Sequence, residues 1–330
     1  MNLENFKNEQ EKLIGKPTIA VYQNGNHYVA IFEDGTKIKE TVDPDANHFT
    51  YEFAENSDIK ITDYCDGGCI YCHENSTIKG VHGDLRKIEP MLDTLHAGTE
   101  MAVGGGNALA HPDLIWFLEK LKSKGVIANI TINQRHLRLY KDLILKLVAD
   151  KLVHGIGISL TDSSNKEDFE FIDLLGNNVV IHTIAGILTE KDIGCLKGRK
   201  VLILGYKDLR RGHVLLENKS DEIKKNIEWL KKFLPIMRHL CKVISFDCLG
   251  IEQIDPKTVL HINDMTYDTL FQGSDTDVAD NEGNITCSTF YIDVPTMTVA
   301  RMSTAGLDKR FSFNGTEDIK TLFKLSTTSW

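Results

Sequence analysis

The sequence predicts an α/β protein: a parallel (β/α) barrel, partial or complete, with small β additions at both ends. Three observations carry that expectation. Between residues 58 and 248, seven short β-branched runs alternate with amphipathic stretches, as parallel strands joined by crossover helices do. Residues 18–42 and 288–303 instead alternate apolar and polar positions around turn signals, the pattern of antiparallel hairpins. A chain of 330 residues with 42% hydrophobic content can also bury one large core.

The N-terminal part, 1–57, opens on a polar amphipathic lead. "TIAVYQNGNHYVAIFEDGTKIKETV" (18–42) then alternates around Asn24-Gly25 and Asp34-Gly35, which predicts a three-stranded antiparallel cap. In the core, 58–248, the expected strands are 59–62, 100–103, 127–132, 154–160, 178–184, 201–204 and 243–247. Tyr140, Leu143, Ile144, Leu147 and Val148 recur at the spacing of one helix face. Ser220 is placed to cap a further helix that Pro235 should interrupt after Leu234. In such a barrel the chemistry sits at the C-terminal strand ends. The remainder, 249–330, is expected to be a β-rich extension, with a hairpin around Pro295-Thr296 and a short helix near "EDIKTLFKL".

Composition narrows the function. The net charge of −9 argues against nonspecific nucleic-acid binding. The polar start has no signal-peptide pattern, and no apolar run approaches the ~18 residues that span a bilayer, so a cytoplasmic protein without a membrane partner is expected. The reducing cytosol favours metal binding over disulfides for closely spaced cysteines.

Three of the seven cysteines fall in "CDGGCIYC" (65–72), directly after the first core strand and so at the catalytic end of the barrel. Gly67 and Gly68 let a short backbone wrap an inorganic cluster closely. Three thiolates can hold three irons of a 4Fe–4S cube and leave the fourth open for a ligand. A zinc site completed by His73 also satisfies the tetrahedral count, although the cysteine spacing is unusual for structural zinc. After the second core strand, "AVGGGNALAHPDL" (102–114) brings Gly104, Gly105 and Gly106 to the same barrel end, where bare backbone can approach a ligand or simply turn into a helix.

The pattern Cys65-x-x-x-Cys69-x-Tyr71-Cys72 resembles the signature of the radical S-adenosylmethionine (radical SAM) superfamily. The resemblance covers about residues 58–248 and implies an oxygen-sensitive enzyme with a barrel of the radical SAM type. Its implied cofactors are a 4Fe–4S cluster on Cys65, Cys69 and Cys72 and SAM on the open iron, with Tyr71 against the adenine. An electron donor such as flavodoxin or ferredoxin is the implied partner. Gly105, Gly106 and Asn107 match a Gly-Gly-Glu-Pro type segment that binds the methionyl amino group, with Asn107 in place of glutamate and Ala108 in place of proline. The resemblance further implies SAM contacts from Ser159, from Gly186 as the small residue admitting the adenine, and from the backbone of Gly205 and Tyr206. Longer stretches, including "DIKITDYCDGGCIYCHENSTIKGVHGDL" and "STFYIDVPTMTVARMST", are similar to a group of radical SAM proteins found in phages and bacteria. That likeness implies architecture without a substrate.

Cys195, Cys241, Cys248 and Cys287 are widely spaced, so no auxiliary cluster is expected. Cys248, after the last core strand, is a candidate to point into the barrel as hydrogen donor or thiol nucleophile. The other substrate candidates are Asn133, Gln134, His182, Lys207, Arg210, Asp247 and Glu252. They suit a nucleotide or another small polar metabolite; the alternatives are an activase that generates a glycyl radical on a partner protein, and a zinc- or cluster-stabilised binding protein.

Overall fold

The computed structural model describes residues 2–271 and 279–328. A helix, Leu3–Ile14, is capped by the Asn2 side chain, which accepts from Asn5 N, and ends at Gly15 in the left-handed conformation. It lays Phe6 on Tyr28, ring centroids 5.4 Å apart. Strands β1 (Thr18–Asn24), β2 (His27–Phe32) and β3 (Lys37–Thr41) form the expected antiparallel meander. Gly25 sits at φ 54°, where a Cβ would fall 2.1 Å from the Thr50 carbonyl oxygen, so no other residue fits this turn.

Each of the seven core runs is a strand: β4 (Asn56–Thr62), β5 (Glu100–Gly105), β6 (Ile127–Asn133), β7 (Gly155–Ser159), β8 (Val179–Ile184), β9 (Lys200–Leu204) and β10 (Val243–Phe246). They pair in parallel and in sequence order. Beyond β4 the sheet continues through β11 (Thr289–Asp293), β12 (Thr298–Ala300) and β13 (Phe311–Ser312), with β11 parallel to β4 and the last two antiparallel. Among the described residues β10 and β13 are the two edges of one ten-stranded sheet, so the barrel is partial rather than complete. Alternation along each strand sorts its side chains: Ile59, Ile61, Val103, Ile130, Ile158, Ile181 and Ile203 are buried in the core, while Asp58, Lys60, Thr131, Ser159 and His182 line the concave side.

Two expectations change. The tail hairpin forms around Pro295-Thr296 but joins the main sheet, and besides the expected helix, Ile319–Thr327, residues 249–328 carry the helices Pro256–Val259 and Asp264–Leu270. Pro235 does not end its helix. Within Arg211–Leu240 two helices meet at a kink at Lys219, and the second runs from Ser220 on through Pro235. Burial of Ile223, Leu230, Leu234 and Met237 along one face outweighs the single hydrogen bond that Pro235 cannot donate.

The small sheet covers the N-terminal ends of the barrel strands. Asn178 Nδ2 donates to Glu33 O at 2.9 Å and Lys200 Nζ to Asp34 O at 2.8 Å. Glu55, just before β4, meets His27 Nε2 at 2.6 Å and Lys39 Nζ at 3.6 Å, all three out of water. Glu55→Gln leaves Lys39 buried without its counter-charge and is expected to cost about 3–5 kcal/mol in a urea titration. Burial alone would raise the Glu55 pKa, but the hydrogen bond with His27 and the charges of Lys39 and Lys37 bring it below the ordinary 4.5. The pair's contribution is therefore complete above that value and fades as pH falls through the native one, so the gap between wild type and variant should narrow on acidification. A gap that widens toward low pH would refute the assignment.

Candidate active site

The loop after β4 folds back over the strand that launches it. Cys65 N donates to Thr77 O at 2.9 Å, Asp63 N to Val81 O at 2.8 Å and Gly83 N to Ile61 O at 2.8 Å. Gly80 permits this return, since a Cβ there would lie 2.0 Å from Asp63 O. Within the loop Gly68 is left-handed at φ 62° and Cys72 N donates to Cys69 O at 3.3 Å, a turn that brings all three cysteines and Tyr71 to one cavity. The thiols are half-buried and unbridged. Two donors face them: Gly67 N lies 3.4 Å from Cys65 Sγ and Asn133 Nδ2 3.3 Å from Cys69 Sγ.

Gly104, Gly105 and Gly106 line the same cavity, of about 320 Å³. Gly105 has φ 114°, and a Cβ on Gly106 would lie 2.1 Å from Tyr64 O, so the glycine run is packed tightly against the root of the cysteine loop. Gly106 N donates to Thr62 O and Asn107 N to Tyr64 O. The Asn107 side chain turns away from the cavity. Its Nδ2 donates to Asp66 Oδ1 at 3.1 Å, which ties the glycine loop to the cysteine loop, and its Oδ1 is buried without a hydrogen-bond partner. His136 Nε2 approaches the same Asp66 oxygen to 2.8 Å, and donor atoms of Cys65, Asp66 and His136 fall within 4.8 Å of one another. His73, the residue proposed to complete a zinc site, instead lies 3.3 Å from Glu74 and 3.2 Å from Lys207 Nζ.

Ser159, His182, Asn133 and Lys207 line the cavity as expected. Several others stand behind its wall. A Cβ on Gly186 would meet Ile223 Cγ2 at 2.7 Å, and one on Gly205 would meet Leu249 Cγ at 2.4 Å, so both glycines admit a packing helix. Tyr206 is buried, its hydroxyl donating to Gly212 O at 2.7 Å and its backbone held by Gln253. Asp247 caps the helix Cys248–Ile254, accepting from Gly250 N and Gly205 N. That helix begins at Cys248 itself, which puts the thiol on the outside; Cys248 is exposed and does not line the cavity, so the expectation that it points inward is not met. Glu252 is exposed too, and Gln134 is engaged by Asp162 O and Asp168. Arg210 grips the rim, with Nη1 on His73 O at 2.9 Å.

The charged residues closest to the cysteine loop were not singled out in the sequence. Buried Lys60 contacts Asp63 at 2.5 Å, Glu74 at 3.0 Å and Asp293 at 3.4 Å. Burial would lower its pKa, but Glu74, Asp63 and Asp293 raise it on balance. Burial likewise opposes ionisation of Glu74, and His73 and Lys60 overcome it, holding that carboxyl well below the usual range. Asp58, Tyr291 and Ser303 also line the cavity. The strand "DIKIT" carries a signal for Asp58 and Lys60, because its polar positions alternate with isoleucines that the core must take.

The family model of the radical SAM superfamily matches residues 59–236. Among solved structures, Streptococcus suis SuiB bound to precursor peptide SuiA is similar over 84% of this chain and 67% of that one, at 12% identity and a TM-score of 0.57. SuiB bound to S-adenosylmethionine gives 84% and 67%, 13% identity and 0.56. At such identity the likeness is one of fold. No curated protein matches the chain. No helix among the described residues is long and apolar enough to cross a membrane. The family match spans more than half of the sequence and coincides with the partial barrel and its cysteine loop, so the chain belongs to the radical SAM superfamily, enzymes that use a 4Fe–4S cluster and SAM.

Proposed function

We propose that this enzyme reductively cleaves SAM and abstracts a hydrogen atom from a small polar substrate held in the barrel. The observation that carries the reading is the sharing of one cavity by the three thiols, the glycine loop and the inward-facing Asp58, His182 and Lys207. Cys65, Cys69 and Cys72 fit a cluster, since they converge from one turn and N–H donors face two of the sulfurs, where thiolate charge would gather. When bound, the cluster and SAM supply a 5′-deoxyadenosyl radical that takes hydrogen from the substrate.

The chain's own residues bind, orient and exclude water. Gly104, Gly105 and Gly106 leave bare backbone where the methionyl end of SAM would dock, with Tyr71 and Ser159 as further contacts. Asn107, through Asp66, keeps the glycine and cysteine loops in register. Leu160, Ile184, Ile187 and Leu204 give the cavity a dry wall, which protects a reactive intermediate from solvent. Lys60 clamps the cysteine loop by both of its roots. The peptide bound to SuiB is that protein's ligand; the narrow, charge-lined cavity here favours a small polar substrate or one polar side chain of a larger one.

After anaerobic reconstitution with iron and sulfide, dithionite and SAM should yield 5′-deoxyadenosine from the wild type and only background from Cys69→Ala. A protein that takes up zinc instead and never cleaves SAM would sink the proposal. Lys60→Met strands Glu74, Asp63 and Asp293 without their shared cation and should cost about 3–5 kcal/mol of stability. It should also lower the iron retained per chain after reconstitution. Full iron loading at wild-type stability would show that the clamp is dispensable.

A further inference from the structure

We infer that Asp58 is the residue that selects the substrate, and that the group it selects is a protonated amine. The inference deepens the hydrogen-abstraction reading and rests on it for the word substrate. Asp58 lies on β4, in register with Ala102 of β5 and Tyr291 of β11. Its neighbour on the same face toward the mouth is Lys60, two residues or about 7 Å along the strand. Asp58 is therefore deeper in the barrel than the cysteine loop, where a substrate would sit beneath the cofactor.

Partnership sets it apart. Among the described residues Lys60 is held by three carboxylates, Glu74 by Lys60, His73 and Arg210, and Lys207 by His73 and Ser303. Asp58 lines the same cavity, and among the described residues no hydrogen bond or ion pair reaches its side chain. Asp58 is exposed and lines the open cavity; the protein packed around it and the charge of Asp247 raise its pKa, with Lys207 opposing. A carboxylate so placed, with no partner of its own, is open to a ligand that brings positive charge.

There is room for one. Beside Asp58 the wall is Ala102, and Gly104 follows it toward the mouth; across the barrel Gly157 lacks a side chain because the His182 ring occupies the place its Cβ would take, 2.3 Å from Cε1. His182 is likewise without a side-chain partner, and burial pushes its pKa down to about 4, so it offers a neutral imidazole to a second polar group of the same ligand. Asp58 repels anionic ligands at this depth and Lys60 is already paired with three carboxylates, while Lys207, held by His73 and Ser303, stands nearer the mouth with its charge uncompensated.

The test uses the reconstituted protein with SAM and reads binding of n-butylamine, n-butanol and the peptide Gly-Gly-Lys-Gly-Gly by calorimetry or ligand-detected NMR. The wild type should bind at least one of the amines at least about tenfold more tightly than butanol, and Asp58→Asn should erase that preference. Tighter binding of the peptide assigns the amine to a peptide side chain, and tighter binding of butylamine to a free metabolite; both support the inference when they depend on Asp58. Equal binding of amine and alcohol overturns it. So does a tenfold loss of SAM affinity in Asp58→Asn, which would place the residue in the cofactor site. A second readout is thermal: with no hydrogen bond or ion pair lost among the described residues, Asp58→Asn should leave the Tm close to that of the wild type, whereas a large fall would mark Asp58 as structural and overturn the inference. Amine binding is read without turnover, so it can stand if SAM cleavage fails, and SAM cleavage without amine recognition removes only the role of Asp58.

Discussion

Lys60 and its carboxylates are the constraint on which the site depends. One ammonium, carried by the first barrel strand, reaches Asp63 before the cysteine motif, Glu74 after it and Asp293 on β11. The two roots of a loop of ten residues, 64–73, are thus held by the same point charge. Burying a lysine is expensive, and the attraction of its partners largely offsets that cost rather than adding net stability. What the arrangement secures is geometry: moving either root, or the tail hairpin, separates a buried charge from its counter-charge. Arg310, 3.4 Å from Asp293, extends the same logic to the segment around β13.

From this anchor the rest of the catalytic end can be assembled outward. The cysteine loop folds back along β4 through backbone hydrogen bonds, the glycine run packs on its base with no side chains between, and Asn107 reaches across to Asp66. On the rim, Arg210 adopts φ 51° and ψ −118°, a conformation costly for any residue with a Cβ, while its guanidinium holds His73 O and lies 3.6 Å from Glu74. The strain lies where the strand-nine loop clasps the cysteine loop, the place where position matters more than local comfort.

Local patterns were legible in the sequence and long-range partnerships were not. β-Branched runs located the seven parallel strands β4–β10 because such strands must be built from residues that suit burial. The cysteine spacing marked the site because three soft ligands in eight residues have few other uses. The parallel pairing of β11 with β4 joins segments more than 230 residues apart, and no periodicity in either encodes it. Gly186 and Gly205 were legible as close approaches, but a sequence does not say what approaches; in the fold it is a helix each time. Pro235 shows propensity yielding to a buried face. Lys60 and Asp58 were missed because a charged residue in a strand is read as solvent-facing until the sheet is known to curl around it.

The two ends of the barrel treat charge in opposite ways, and the contrast carries functional meaning. At the N-terminal end the cap supplies Lys39 and His27 for Glu55, and backbone carbonyls for Asn178 and Lys200, so these charged and polar groups meet partners within the fold, although Tyr22 Oη and His27 Nδ1 are buried without a hydrogen bond among the described residues. At the C-terminal end Lys60 and Glu74 are paired in the same way, yet among the described residues Asp58 and His182, deeper in the same cavity, have no side-chain partners. A fold that has matched charges so consistently elsewhere could have matched these as well, for instance with a lysine from β11 in place of Tyr291, which shares the register of Asp58. Left unmatched, they can pair with a ligand that carries the complementary groups, and that gain falls to the complex alone. The charge at the barrel floor therefore selects among ligands, in favour of one that brings positive charge.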